Sequence, residues 1–309
     1  MSRVMCFGLG PIGQAVARAC DRRDDIDVVA AIDPANIDGL ELGIPVHQRI
    51  DDVSVEADTA IFSTTSDLQT LVDQVTPALK RGMDVVSTCE ELAFPSPAAP
   101  KAAAELDAVA RRYGRSVVGA GVNPGFAMDV VPALASTVCF DVERIEVKRE
   151  VDLGHRRQQL SRKLGVGLEH TAWQELEQAG QLGHRGLVES ARLCALAASW
   201  SVGAIEFSRT PITDDVTVTG IVETVTLGCG PGRNLDMTLR FAQNGIDRDV
   251  VAITGTSTLR FEIAGLAGDE ATVARTVHAA RVSDALAPGL RLPIEVPPWA
   301  GESIEGAID

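Results

Sequence analysis

Six residues near the start of the chain constrain its fold more than any other feature. Gly8-Leu9-Gly10-Pro11-Ile12-Gly13 follows the apolar run Val4 to Phe7 and opens a helical pattern from Pro11 to Arg22. Three glycines so spaced, between a strand and a helix, have a mechanical meaning. The first permits a tight turn, the second lets a pyrophosphate approach the backbone, and the third allows close helix–strand packing. The helix N-terminus then presents free N–H groups to the anion. Asp33 closes a second strand pattern, Val28 to Ile32, where a carboxylate can bind adenosine ribose hydroxyls. The glycine spacing alone also suits a plain βαβ turn; its place between strand and helix, with Asp33 downstream, turns it towards a dinucleotide. Gly8, Gly10, Pro11, Ile12, Gly13 and Asp33 are therefore candidate cofactor residues. Asp33 has no neighbouring arginine and would repel a ribose phosphate, so NAD is favoured, with NADP the second choice.

The first half of the chain goes on alternating strand and helix patterns. Ala60 to Phe62 reads as a strand, Leu68 to Lys80 as a helix capped by Ser66 or Asp67, and Val85 to Ser87 as a strand. A helix opened by Pro97 or Pro100 runs through Arg112, before the strand Ser116 to Val118. Helices of this length are the crossovers that parallel strands need, so an α/β doubly wound fold is expected over residues 1–140. The pattern changes near residue 140. Val142 to Val151 reads as a strand, and a Gly-punctuated helical region spans Gln158 to Trp200. Val216 to Thr226, Leu235 to Ala242 and Val250 to Ile263 are then long Val/Thr/Ile-rich segments. Their turns, Gly228 to Asn234 and Asn244-Gly245, suit antiparallel hairpins. Residues 141–268 are thus expected to form an α+β domain on an open, mostly antiparallel sheet. A helix over 269–286 and the C-terminal segment are expected to pack back on the first domain, leaving the acidic tail Gly301 to Asp309 as a loose end.

Charge excludes some classes of partner. Asp and Glu number 43 against 28 Lys and Arg, a net charge of −15, and the largest basic cluster is Arg156, Arg157, Arg162 and Lys163. Such a chain repels polyanions, so neither nucleic acid nor a membrane is expected as partner. Apolar runs long enough to span a bilayer are lacking, and the N-terminus reads as no secretory signal. Cys6, Cys20, Cys89, Cys139, Cys194 and Cys229 are irregularly spaced, which suits a reducing, cytoplasmic compartment and no metal site. Cys89 lies beside two glutamates but has no histidine near it in the sequence, so it reads as packing rather than as a nucleophile. The long Val/Thr-rich strands would leave an apolar sheet face if the second domain stood alone, and a twofold mate covering it would give a homodimer.

Three strand ends carry residues suited to chemistry, and open α/β sheets bind ligands outside those carboxyl ends. Ser63, Thr64 and Thr65 place hydroxyls after the third strand, where they also suit a helix cap. Ser87-Thr88-Cys89-Glu90-Glu91-Leu92 brings Thr88 and two adjacent carboxylates to the region where a nicotinamide would lie. Beside a largely apolar ring a glutamate can act as general base, although neighbours on an extended segment point apart and only one is expected to face substrate. Gly119 to Phe126 follows the next strand, and Asn123 and Pro124 in it are further candidates for the cofactor.

Several segments together resemble the 2,4-diaminopentanoate dehydrogenases and native amine dehydrogenases, distant relatives of dihydrodipicolinate reductase. They are the Ser87–Leu92 segment with Phe94-Pro95, Gly121-Val122-Asn123-Pro124-Gly125-Phe126-Ala127-Met128-Asp129, and Arg156-Arg157-Gln158-Gln159 with Lys163-Leu164-Gly165-Val166-Gly167. Gly183-His184-Arg185-Gly186-Leu187-Val188-Glu189-Ser190, Gly268-Asp269-Glu270-Ala271-Thr272 and Ala287-Pro288-Gly289-Leu290 extend the likeness over nearly the whole chain. His278 and Arg281 depart from it, where asparagine and proline are expected.

The resemblance implies an N-terminal Rossmann domain, and an α+β domain that supplies substrate contacts and the dimer interface. It further implies NAD(P)-dependent oxidative deamination of a primary amine or, in reverse, reductive amination of a ketone or aldehyde with ammonia. The family's acid maps onto Glu91 first and Glu90 second, with Phe126, Met128, Arg157 and Lys163 as substrate-pocket candidates. Ammonium cannot attack a carbonyl until a base removes its proton, and a glutamate can do that and then help protonate the departing hydroxyl. Two other readings carry weight. One is a reductase of a preformed cyclic imine, although the paired histidines of the dihydrodipicolinate reductase motif are missing from the basic cluster. The other is a non-catalytic NADH sensor, which would need no acid at Glu90 and Glu91.

Overall fold

The βα alternation of the first half folds as a parallel sheet. The computed structural model describes residues 1–35 and 43–299, so the expected loose tail Gly301–Asp309 lies outside the described residues. Strands β1 (Ser2–Phe7), β2 (Ile26–Ile32), β3 (Val46–His47), β4 (Thr59–Phe62), β5 (Asp84–Ser87) and β6 (Ser116–Gly119) lie in the order β3-β2-β1-β4-β5-β6, every pair parallel. This is the doubly wound order, whose reversal point lies between β1 and β4. Helices α1 (Pro11–Asp21), α2 (Leu68–Lys80), α3 (Pro95–Ala98) and α4 (Pro100–Arg112) supply crossovers.

Alternation along the strands sends side chains to both faces, and each face has its own core. Met5, Phe7, Ala60, Phe62 and Val85 pack with Leu68, Leu71 and Leu106, while Val4, Cys6, Ile61 and Val118 pack with Val16, Ala17 and Cys20. Asp67, one of the two expected caps, accepts a 2.7 Å bond from Thr70 N at the start of α2.

The second half is built on a six-stranded sheet. After α5 (Val130–Ser136) come β7 (Arg144–Asp152), three helices α6 (Gln158–Lys163), α7 (His170–Gln178) and α8 (Leu187–Ala197), then β8 (Ile205–Asp214), β9 (Thr217–Gly228), β10 (Asn234–Ala242), β11 (Arg248–Thr254) and β12 (Thr258–Ala264). Their order is β12-β11-β7-β10-β9-β8, antiparallel except for β7 with β10. The Gly228–Asn234 turn closes the β9–β10 hairpin as expected. Asn244-Gly245 does not close a hairpin, because β7 lies between β10 and β11. Val250–Ile263 likewise divides into β11 and β12, an antiparallel pair, at the polar residues Gly255-Thr256-Ser257. Strand β8 escaped the sequence reading: it is an edge strand whose Glu, Ser, Arg and Thr residues leave no apolar run.

The chain finishes with α9 (Gly268–Arg281) and β13 (Gly289–Arg291), which pairs in parallel with β6. Two compact units result: Met1–Gly121 with Thr272–Asp309, and Val122–Ala271. The division falls earlier than the pattern change near residue 140. The reason is packing: Met128 is fully buried in the core of the second unit, with Val131, Ala135 and Cys139 against it. On the first unit, Val277, Ala279 and Ala280 of α9 join the core made by β1 and α1.

One physical expectation fails. The sheet of the second unit does not present an apolar face. Ile145, Val147, Val225, Leu235, Met237, Leu239, Val251 and Ile253 are covered by the unit's own Trp173, Leu187, Ala191 and Cys194. The alternate positions carry Glu146, Lys148, Glu150, Thr224, Thr226, Asp236, Thr238 and Arg240, which strand periodicity turns to the other face, while Arg149, Glu223 and Asp249 are charges kept on the core side. The argument for a twofold mate from exposed apolar area is therefore lost.

Candidate cofactor and catalytic site

The glycine loop is shaped by close contact. Gly8 has φ +84°, and a Cβ on it would fall 2.8 Å from Ser63 O; a Cβ on Gly13 would fall 1.7 Å from Gly8 O. A side chain at either position would push the end of β1 or the start of α1 out of place. Gly10 differs. A Cβ there would meet no atom within 4 Å, so the space above the α1 N-terminus is open on the protein's own account. Pro11 is exposed at the first helical turn, and Ile12 is half-buried against the core on that face of the sheet.

Asp33 stands at the end of β2, 8% exposed. Its Oδ2 accepts from Leu9 N at 2.6 Å and its Oδ1 from Ala35 N at 2.8 Å. The carboxylate thus braces the glycine loop, a role the spacing did not disclose. Each carboxylate oxygen has a second lone pair, so bracing does not exhaust its capacity for hydroxyl donors.

At the end of β4, Ser63 Oγ is buried and takes no hydrogen bond among the described residues. Thr64 Oγ1 donates to Gln74 Oε1, and Thr65 Oγ1 accepts from Asp67 N at 3.1 Å. Thr65 therefore serves the start of α2, and Thr64 ties the strand end to the middle of that helix.

Beyond β5, Thr88 is half-buried and its N–H donates to Phe62 O at 3.0 Å. Cys89 is 3% exposed, and burial pushes its thiol up to about 12, with Glu90 adding to the effect. The thiol is a packing group, not a nucleophile. Glu90 and Glu91 open a short 3-10 turn, Glu90–Ala93, and both are half-buried. Glu91 Oε2 accepts from Leu68 N at 2.9 Å. That N–H is an orphan donor of the first turn of α2, so the carboxylate of Glu91 is docked at a helix N-terminus. Within this unit the fold thus gathers Gly8–Gly13, Asp33, Ser63–Thr65, Thr88, Glu90 and Glu91 at the carboxyl ends of β1, β2, β4 and β5. The open space at Gly10 and the orphaned Ser63 hydroxyl suit a dinucleotide.

The second unit begins with the expected loop. The Asn123–Pro124 bond is cis, and Pro124 is buried. The loop is held by Asp129, fully buried, whose Oδ2 accepts from Gly125 N at 2.7 Å and Ser190 Oγ at 2.9 Å, while Oδ1 accepts from Val130 N at 2.7 Å. An aspartate amid Ala127-Met128 and Val130-Val131 was the signal for this role, since a buried carboxylate must be hydrogen-bonded. Phe126 is half-buried.

Two pocket candidates change character. Met128 is fully buried in the apolar core, so it packs rather than lining a ligand site. Arg157 pairs with Asp269 at 3.4 Å, as Arg156 pairs with Asp247 at 2.7 Å, so both arginines have carboxylate partners within the unit. Lys163 is half-buried at the end of α6, its carbonyl accepting from Gly183 N at 2.8 Å. The two departures from the family pattern also have structural work. His278 Nε2 bonds Pro297 O at 2.7 Å, and Arg281 pairs with Asp25 at 2.6 Å.

The first unit has a Rossmann-like parallel sheet and the second is an α+β domain on a mixed sheet. Within it, residues 126–238 match the family model described as the 2,4-diaminopentanoate dehydrogenase C-terminal domain. The chain is 29% identical over 229 residues to the 2,4-diaminopentanoate dehydrogenase of Acetoanaerobium sticklandii, a match that covers 69% of this chain and 65% of the length of that relative. The amine dehydrogenase from Mycobacterium smegmatis shares the fold with a TM-score of 0.84 at 18% identity, covering 96% of each chain. Scyllo-inositol dehydrogenase from Lactobacillus casei, solved with bound NAD(H) and scyllo-inositol, superposes with a TM-score of 0.54 at 13% identity over 86% of this chain and 77% of that one. The resemblance to the diaminopentanoate and amine dehydrogenases drawn from the sequence motifs is thereby borne out. Among the described residues no helix is long and apolar enough to cross a membrane.

Proposed function

We propose that the protein is an NAD-dependent amine dehydrogenase, which deaminates a primary amine and, in reverse, aminates a ketone or aldehyde with ammonia. The observation that carries the reading is the pair Glu90 and Glu91 at the end of β5, with the Glu91 carboxylate oriented by Leu68 N. Gly8, Gly10, Pro11, Ile12 and Gly13 would hold the pyrophosphate at the α1 N-terminus, and Asp33 the adenosine ribose. Ser63, Thr64, Thr65 and Thr88 would complete the cofactor's surroundings on the first unit, and Asn123 and Pro124 stay the cofactor candidates of the second. When bound, the nicotinamide supplies or accepts the hydride at its C4.

The chain's own task is proton management. In the amination direction Glu91 takes a proton from ammonium, freeing the lone pair that attacks the carbonyl carbon. It returns a proton to the hydroxyl that leaves the carbinolamine. Its charge, fixed beside the resulting iminium, stabilises the cation. In deamination the same carboxylate accepts a proton from the amine. NADH oxidation measured over a panel of ketones and aldehydes, with and without ammonia, tests the reading. Turnover only with ammonia supports it. Equal turnover without ammonia would mean reduction of the carbonyl itself and overturn the reading, and tight NADH binding without turnover would favour a sensor.

Cofactor choice follows from Asp33. NADH should be used in preference to NADPH, and Asp33→Ala should narrow that preference mainly by weakening NADH. Because Asp33 also braces Leu9 N, the variant should bind both cofactors less well, with the larger loss for NADH. A wild-type preference for NADPH would refute the assignment.

A homodimer is also part of the proposal, through the sheet face that carries Glu146, Lys148, Thr224, Thr226 and Thr238. Static light scattering at micromolar concentration should return twice the 32.6 kDa chain mass, and a monomeric mass would remove the dimer.

A further inference from the structure

A buried polar assembly in the second unit takes no part in the chemistry proposed above. Glu223 lies on β9 between Ile221 and Val225 on the core face, and is fully buried. A carboxylate there is costly unless paired and hydrogen-bonded. Its Oε1 accepts from Arg209 Nε at 2.7 Å, on the neighbouring strand β8, and from His184 N at 3.0 Å. Arg209 reaches further. Its Nη1 donates to Glu177 Oε2 at 2.8 Å and Leu182 O at 3.1 Å, and its Nη2 to His184 O at 3.3 Å. The guanidinium therefore holds the chain on both sides of Gly183. That residue has φ +104°, and a Cβ on it would fall 1.9 Å from Arg209 Cζ, so only glycine lets the loop cross so near.

This grip aims the His184 ring. Nε2 lies 3.2 Å from Asn123 O. A carbonyl only accepts, so Nε2 carries the proton of that bond. On the other side Nδ1 faces Glu223 Oε2 at 3.8 Å, and the Phe241 ring packs with its centroid 5.7 Å from that of the imidazole. On the side chain of Asn123, Oδ1 is buried and takes no hydrogen bond among the described residues.

We infer that His184 is a positioning residue, whose Nε2–H fixes the Asn123 carbonyl and with it the turn from Asn123 to Phe126. The inference rests on the amine dehydrogenase reading for what the turn serves, and not for the grip itself. Glu223 and Arg209 set the loop that carries the ring, as Asp129 sets Gly125 from the other side of the turn.

Full-length wild type, His184→Leu and His184→Gln are to be compared by amide hydrogen exchange and steady-state kinetics. Leucine removes the donor, whereas glutamine offers an N–H at a similar reach. His184→Leu should speed exchange in peptides spanning residues 122–128 by about tenfold or more and leave β1 peptides unchanged. Its kcat should fall by about 10²-fold, with NADH affinity and the KM for ammonia altered far less. His184→Gln should recover most of both losses. Should the leucine variant not fold, His184→Asn, whose amide is too short to reach Asn123 O, takes its place. Unchanged exchange over 122–128 without the donor, or glutamine performing no better than leucine, overturns the inference. Exchange reads the turn without turnover. An inert wild type whose turn still loosens in His184→Leu and tightens in His184→Gln would therefore sink the dehydrogenase reading while upholding the positioning of the turn.

Discussion

Glu91→Gln is expected to keep NADH binding and lose turnover by about 10²–10⁴-fold, the range for removal of a general acid–base group. The structure makes this substitution a clean one. Glu91 Oε2 accepts from Leu68 N, and the amide oxygen of glutamine can accept the same bond, so the start of α2 keeps its partner. A large loss would then be chemical, because glutamine matches the shape of glutamate but cannot carry its proton. Glu90→Gln should cost much less, since the two residues open a 3-10 turn rather than an extended strand, their side chains leave it about 120° apart, and Glu91 is the one bonded to Leu68 N. The pH profile of residual activity should also lose the limb that belongs to the carboxylate. Steady-state rates together with titrated NADH affinity decide the matter. Equal, small losses in both variants would place the acid elsewhere in the molecule; a dead Glu90→Gln beside an active Glu91→Gln would reverse the assignment within the pair.

The largest expected effect on stability lies in the second unit. Arg149 on β7 and Asp249 on β11 are register partners, 3% and 2% exposed, with Arg149 Nη1 at 2.7 and 2.9 Å from the two carboxylate oxygens. Burial pushes the Asp249 carboxyl up and the Arg149 guanidinium down, while each partner's charge works against that push. Asp249→Ala leaves the arginine buried beside the apolar core and should destabilise the unit by about 3–5 kcal/mol. Joint replacement, Arg149→Met with Asp249→Leu, should cost far less, because the need to solvate either charge disappears. Urea unfolding followed by tryptophan emission reads the right unit. Trp173 and Trp200 belong to its core, whereas Trp299 is 71% exposed and reports little burial to lose. A loss below about 1 kcal/mol for Asp249→Ala, as for a surface pair, would show that water reaches the arginine and that the site is not dry.

The parallel sheet and its glycine loop were legible in the sequence because both rest on local rules. A strand, three spaced glycines and a helix lie consecutively in Val4–Arg22, and crossover length alone makes neighbouring strands parallel. The helix Leu68–Lys80 was readable to the residue, since Asp67 starts it and Gly82 ends it. The place of Glu90 and Glu91 just past the carboxyl end of a strand was readable too, because the short strand pattern Val85 to Ser87 stops before them. What sequence could not settle was anything decided by contacts distant along the chain. Asn244-Gly245 looks like a hairpin turn, yet β7 inserts between the strands it joins, a pairing fixed by residues about ninety positions away. Periodicity could not say that the Val/Thr-rich strands are covered by the unit's own helices, because hydropathy records that a face is apolar and not what covers it. Met128 and Phe126 look alike as pocket residues, and only packing sends the first into the core. Asp33, Glu91 and His184 each bond a main-chain group remote in sequence, at Leu9, Leu68 and Asn123. Residue type and spacing announce that such side chains need partners; the partners themselves exist only once the chain has folded, because the donors and acceptors are backbone groups that every residue carries and no sequence pattern can single out.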